Sequence, residues 1–104
     1  MKKHRTKLDV INKICEIILN IKNITPTNLI FKANLSPQMF KGYKKELIEK
    51  GFIKEIILPK GIMIRKGKLK KDTRSFKLTD KGIEYLGFYK KLTAFKEKYG
   101  LDEG

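Results

Sequence analysis

Between residues 8 and 21 the apolar residues Leu8, Val10, Ile11, Ile14, Cys15, Ile17, Ile18 and Ile21 recur at helical spacing, with Asp9, Asn12, Lys13, Glu16 and Asn20 sharing the remainder. On a wheel of about 100° per residue the apolar set covers a little over half the circumference, which predicts a helix from a Thr6 cap to about Lys22. A face that wide touches more than one neighbour. It reads as the central helix of a small bundle, with part of the face open to a second subunit.

Thr25-Pro26 repeats a start signal, an N-cap followed by proline at the first helical position, and predicts a short helix to about Asn34 with Leu29, Ile30 and Ala33 inward. Leu35 plugs the turn, and Ser36-Pro37 restarts a helix with the same grammar. Two capped helices joined by so short a turn are a helix-turn-helix signal. The third helix, about 37–50, gathers Phe40, Tyr43, Leu47 and Ile48 on one side. Gln38, Lys41, Gly42, Lys44 and Lys45 look outward, with Met39 at the boundary.

Gly51 ends that helix, and the period then changes from helical to extended. Residues 52–58, rich in β-branched side chains, predict a strand, and 74–78 its antiparallel partner. Residues 59–73 lie between them as a long hairpin. Its Ile62, Met63 and Ile64 either pair as a short strand or wedge at a base step, and packing is the preferred reading. Thr79 caps a last helix to about Tyr99. Ile83 and Leu86 are expected to pack back on the domain, while Tyr85, Phe88, Leu92, Phe95 and Tyr99 repeat at 3-4-3-4 spacing, the seam of two heptads. The seam calls for a partner helix from a second copy; folding back on the first helix is the alternative.

These elements predict an α+β, mostly α fold: a winged helix-turn-helix of three helices plus a β-hairpin wing and a C-terminal helix. Residues 5–79 form the domain, 80–99 the dimerisation helix, and 1–4 and 100–104 flexible tails. A chain of 104 residues supports one modest core.

Charge then narrows the partner. The chain carries 25 Lys+Arg against 11 Asp+Glu, a formal +14, and half of it falls between residues 59 and 77, where eight basic residues face Asp72 alone. Such density of one sign is self-repulsive and is more naturally maintained against phosphates, which makes double-stranded DNA the expected partner. In the recognition helix Ser36, Gln38, Met39, Lys41, Gly42, Lys44 and Lys45 are placed nearest bases and flanking phosphates. A glycine inside a helix costs about 1 kcal/mol against alanine, so Gly42 on the outer face is read as room for a groove wall. In the wing the candidates are Lys60, Arg65, Lys66, Lys68, Lys70, Lys71 and Arg74. With 22 lysines to three arginines, backbone contact is favoured over bidentate reading of guanine, and Arg65 and Arg74 are the candidates for minor-groove insertion.

Other chemistries find little support. One cysteine and one histidine cannot build a zinc site, and Cys15 reads as core. With His4 in a tail, the acids scattered and no phosphate-cradling glycine loop, an enzyme is not expected, nor is any cofactor or small-molecule ligand. No apolar run approaches the ~18 residues that span a bilayer, and the polar residues of the first helix exclude a signal-peptide core, so a cytoplasmic, nucleoid-associated address is expected.

The stretch Ala33-Asn34-Leu35-Ser36, the helix end Glu49-Lys50-Gly51-Phe52-Ile53, and the run from Phe76 through Lys77-Leu78-Thr79-Asp80-Lys81-Gly82 to Leu86 resemble the small archaeal ArnR-like winged-helix proteins. That family includes chromatin-associated members dimerising through a C-terminal antiparallel coiled coil. The resemblance spans roughly residues 5 to 96 and implies a DNA-binding homodimer contacting duplex through recognition helix and wing. Two departures stand out, a long wing and a short terminal helix. The function expected is a dimeric transcriptional regulator; the alternatives are an abundant architectural chromatin protein of low specificity and a winged-helix protein–protein interaction module.

Overall fold

The computed structural model describes residues 5–64 and 67–100. In chain order they form α1 (Lys7–Asn20), α2 (Pro26–Ala33), α3 (Pro37–Glu49), β1 (Ile53–Leu58), β2 (Met63–Ile64), β3 (Gly67–Lys68), β4 (Thr73–Leu78) and α4 (Asp80–Tyr99). The fold is α+β and mostly helical, as the patterning predicts. The two expected tails, apart from Gly100, lie outside the described residues, as do Arg65 and Lys66.

Each helix begins at a side chain that satisfies an otherwise unpaired amide, a contact worth about 1 kcal/mol. Thr6 and Asp9 form a reciprocal capping box, with Asp9 N–H donating to Thr6 Oγ1 at 3.1 Å and Thr6 N–H to Asp9 Oδ2 at 3.0 Å. Thr25, Ser36 and Thr79 cap the other three. Termination is equally local. Gly51 sits at φ 78°, and the amides of Gly51 and Phe52 return to the carbonyls of Ile48 and Leu47 at 3.0 and 2.9 Å, a left-handed turn that closes α3.

The core forms around α1, whose Val10, Ile11, Ile14, Cys15, Ile17 and Ile18 are buried. Leu29 and Ala33 meet it from α2, Leu35 from the turn, Phe40 and Leu47 from α3, Ile53 and Phe76 from the hairpin and Leu86 from α4. Phe40 and Phe76 cross edge to face at 5.9 Å. The first helix stops at Asn20, two residues before the expected Lys22. Ile21 turns extended, Asn23 takes φ 59°, and Ile24 is buried. The buried Ser75 hydroxyl donates to the Ile24 carbonyl at 2.6 Å and so ties the α1–α2 connection to β4.

β1 and β4 pair antiparallel from Ile53↔Leu78 to Leu58↔Thr73. Beyond them β2 and β3 form a second two-stranded ladder, so Met63 and Ile64 pair as a short strand. Asp72 Oδ1 accepts from the Lys60 amide at 2.8 Å and closes the base of this outer loop.

The glycine of the Lys81-Gly82 step has a steric cause. A Cβ on Gly82 would stand 2.3 Å from the Phe52 carbonyl oxygen and 2.7 Å from Leu78 Cδ1. Only glycine lets the first turn of α4 press against the end of α3 and the root of β4. Thr79 completes this junction, its amide donating to Phe52 O at 3.1 Å and its hydroxyl reaching the same carbonyl at 3.0 Å.

Candidate nucleic-acid interface

The N-terminal turns of α3 are presented to solvent because its buried anchors, Phe40 and Leu47, lie on the opposite side. Ser36 caps the helix through Met39 N–H at 3.1 Å, and Gln38, Met39, Lys41, Gly42 and Lys45 are all exposed. A Cβ added at Gly42 meets nothing within 4 Å, so the glycine answers to no constraint within its own chain. The expected inward set of α3 needs one correction: Ile48 is exposed, because the helix turns that flank toward solvent instead of a neighbour.

Lys44 differs from its neighbours. It is half-buried, with its ammonium 3.9 Å from Glu55 Oε2, and Arg74 Nη1 donates to Glu55 Oε1 at 3.0 Å. One carboxylate on β1 therefore joins α3 to the hairpin. Residue patterning did not single out Glu55, since its role arises only when α3, β1 and β4 converge. On the hairpin Lys60, Lys68, Lys70, Lys71 and Arg74 are exposed. Two further lysines join them: Lys54 and Lys77 are exposed and stand opposite each other in the β1–β4 register. Like charges facing across strands are destabilising on their own, and an anion laid over the pair relieves that.

Arg5 is placed by another contact the sequence did not reveal. Its guanidinium donates to the carbonyls of Ala33 at 2.7 Å and Asn34 at 2.8 Å, pinning the start of the chain to the helix-turn-helix corner. A cation there meets the negative end of the α2 dipole. Glu46, partly exposed on α3, sits between Lys7 at 2.7 Å and Lys50 at 3.0 Å, and those two ammonium groups lower its pKa.

The chain matches a family model described as winged helix-turn-helix over residues 4–97. It belongs to that family. No curated protein and no solved structure matches it. Membership in that family suggests a DNA-binding protein.

The winged helix's fourth helix divides the expected seam. Tyr85 belongs to its own domain: its ring lies 5.5 Å from Phe52, and its hydroxyl donates to the Leu8 carbonyl at 2.8 Å. Burial pushes the Tyr85 phenol up to about 12. Leu86 is buried beside it as expected, whereas Ile83 is half-exposed, and Tyr89 takes the packing role instead by donating to Asp9 Oδ1. Phe88, Phe95 and Tyr99 are more than half exposed, and Leu92 is intermediate.

Among the described residues no group of three or more metal-ligating side chains comes together, and no helix is long and apolar enough to cross a membrane. Cys15 is fully buried and burial pushes its thiol up to about 12, which removes it from nucleophilic chemistry near neutral pH. An open cleft of about 300 Å³ lies where Phe31, Asn28 and Lys32 of α2 face Ile21 and Ile64.

Proposed function

We propose that this winged helix-turn-helix protein is a homodimeric transcriptional regulator that binds double-stranded DNA, with α3 entering the major groove and the hairpin running along the flanking backbone. The observation that carries this reading is the Lys44–Glu55–Arg74 bridge, which sets the exposed turns of α3 beside a hairpin rich in lysine. In this reading Ser36, Gln38, Met39, Lys41, Gly42 and Lys45 face base edges and adjacent phosphates. Lys60, Lys68, Lys70, Lys71 and Arg74, with Arg65 and Lys66 from the sequence, contact backbone or minor groove. The dimer rests on the outer stripe of α4, Phe88, Leu92, Phe95 and Tyr99, with Tyr85 at its edge. The sequence resemblance to ArnR-like proteins supports that pairing, and nucleoid DNA is the natural target.

The excess of lysine over arginine favours one second reading, an architectural protein of low sequence preference. Binding of purified protein to its own upstream DNA and to random duplex, each over a salt series, separates the two. A regulator keeps a specific-to-nonspecific ratio of at least about 10³ near physiological salt. An architectural protein binds both alike, with affinity falling steeply as salt rises. If the double substitution Lys70→Glu, Lys71→Glu left duplex binding unchanged, the hairpin would not be the DNA site, and a protein partner would become the better reading.

A further inference from the structure

Glu55 is an anomaly on a surface built to attract phosphate. Its carboxylate lies in the notch between α3 and the hairpin, with Oε1 3.0 Å from Arg74 Nη1 and Oε2 3.9 Å from Lys44 Nζ. Oε2 is buried and accepts no hydrogen bond among the described residues, so the pair of cations holds it by charge. As a prop between two strands and a helix, an apolar side chain of the same length would do as well, since partly buried ion pairs are seldom net stabilisers. A negative charge also repels the phosphate backbone. What the carboxylate does is occupy one of the wing's two arginines and the most buried of the outward lysines of α3.

We propose that Glu55 is a charge clamp that withholds Lys44 and Arg74 from phosphate in the free protein and thereby holds down sequence-independent binding. The proposal rests on the DNA-binding reading above and specifies how that same surface is regulated. A duplex engages the two cations fully only where a phosphate displaces the carboxylate from them. Elsewhere the contact is left to the exposed lysines. Each phosphate neutralised releases counterions and steepens the salt dependence of log K by about 0.9, so the clamp has a readout that a merely structural residue lacks.

The test is fluorescence-anisotropy titration of the full chain, wild type against Glu55→Gln, on a random-sequence duplex over a salt series. Glu55→Gln keeps the side-chain shape and removes the charge. It is expected to tighten binding on the order of tenfold at 0.1 M salt and to steepen the slope by about 0.9, or about 1.8 if both cations are freed. An unchanged or shallower slope, or weaker binding, would overturn the clamp. Should Glu55→Gln lose its helical circular dichroism, Lys44→Gln and Arg74→Gln decide the matter with the carboxylate intact. Each should then change the slope by less than about a third of the ~0.9 lost in Lys71→Gln, and a full loss in either overturns the proposal. If wild type binds no duplex even at low salt, the DNA reading fails. The same slope comparison on heparin then judges Glu55 separately, a steeper slope in Glu55→Gln upholding the clamp and an equal one rejecting it.

Discussion

The first and second halves of α4 carry aromatic side chains at the same spacing and have opposite surroundings. Over residues 80–89, Gly82, Tyr85, Leu86 and Tyr89 form a face that closes on Phe52, Leu78 and the start of α1. Over residues 90–99, Phe95 and Tyr99 stack on each other at 4.7 Å and remain more than half exposed. The spacing of Tyr85, Phe88, Leu92, Phe95 and Tyr99 thus records an apolar stripe and not what covers it. Two stripes offset by about one residue share Tyr85, and only the one beginning at Gly82 is satisfied by the chain itself.

The most severe way to break the contrast is to undock the inner stripe. Gly82→Ala places a methyl against the Phe52 carbonyl, a backbone atom that cannot swing aside, and is expected to cost about 2–4 kcal/mol of unfolding free energy in urea titration. Leu86→Ala should cost about 2–3 kcal/mol by leaving a cavity at a buried position. The outer stripe should respond in the reverse manner. Leu92→Glu is expected to change stability at low protein concentration by less than about 1 kcal/mol while halving the mass in sedimentation. A mass already monomeric in wild type would reject the proposed dimer.

The smallest effect concerns the hydrogen bond that fastens the inner stripe to α1. The Tyr89 hydroxyl, followed by the Thr6 amide, lowers the pKa of Asp9, and the Asp9 carboxylate raises that of Tyr89. For Asp9 the folded pKa lies below the unfolded one. Its contribution is therefore complete above about pH 4 and lost as pH falls through the depressed folded value. For Tyr89 the folded pKa is raised, so the neutral phenol's contribution is present below about pH 10 and lost above it. Asp9→Asn should reduce the acid-side loss between thermal melts at pH 5 and pH 3. Because the pair is largely solvated, the whole effect should stay below about 1 kcal/mol.

What could be read from the residues was local. Four helix starts fall at Thr6, Thr25, Ser36 and Thr79 because a hydroxyl before a helix answers amides only two or three residues ahead. The hairpin followed from β-branched runs bounded by turn residues, and the buried Cys15 from its place in the apolar face. The extended Ile21 was not legible, because an apolar residue continues a helical pattern whether or not the helix continues. Arg5, Glu55 and Tyr89 act across 28, 19 and 80 positions of sequence, and no periodicity encodes such partners. In the candidate interface the exposed lysines could be named beforehand, whereas the clamp on two of the cations could not. The Lys54–Lys77 opposition needed the strand register.

The contacts of Tyr85 with Leu8 and of Tyr89 with Asp9 span 77 and 80 positions, nearly the whole chain. Closing so long a loop is entropically unfavourable until other structure has already brought the ends together. The helix-turn-helix corner and the β1–β4 ladder draw on closer neighbours, so docking of α4 is expected to come late in folding. Leu86→Ala should accordingly speed unfolding and leave the refolding rate almost untouched in a stopped-flow chevron. On that order the aromatic stripe of α4 is fixed in position only after α3 is complete.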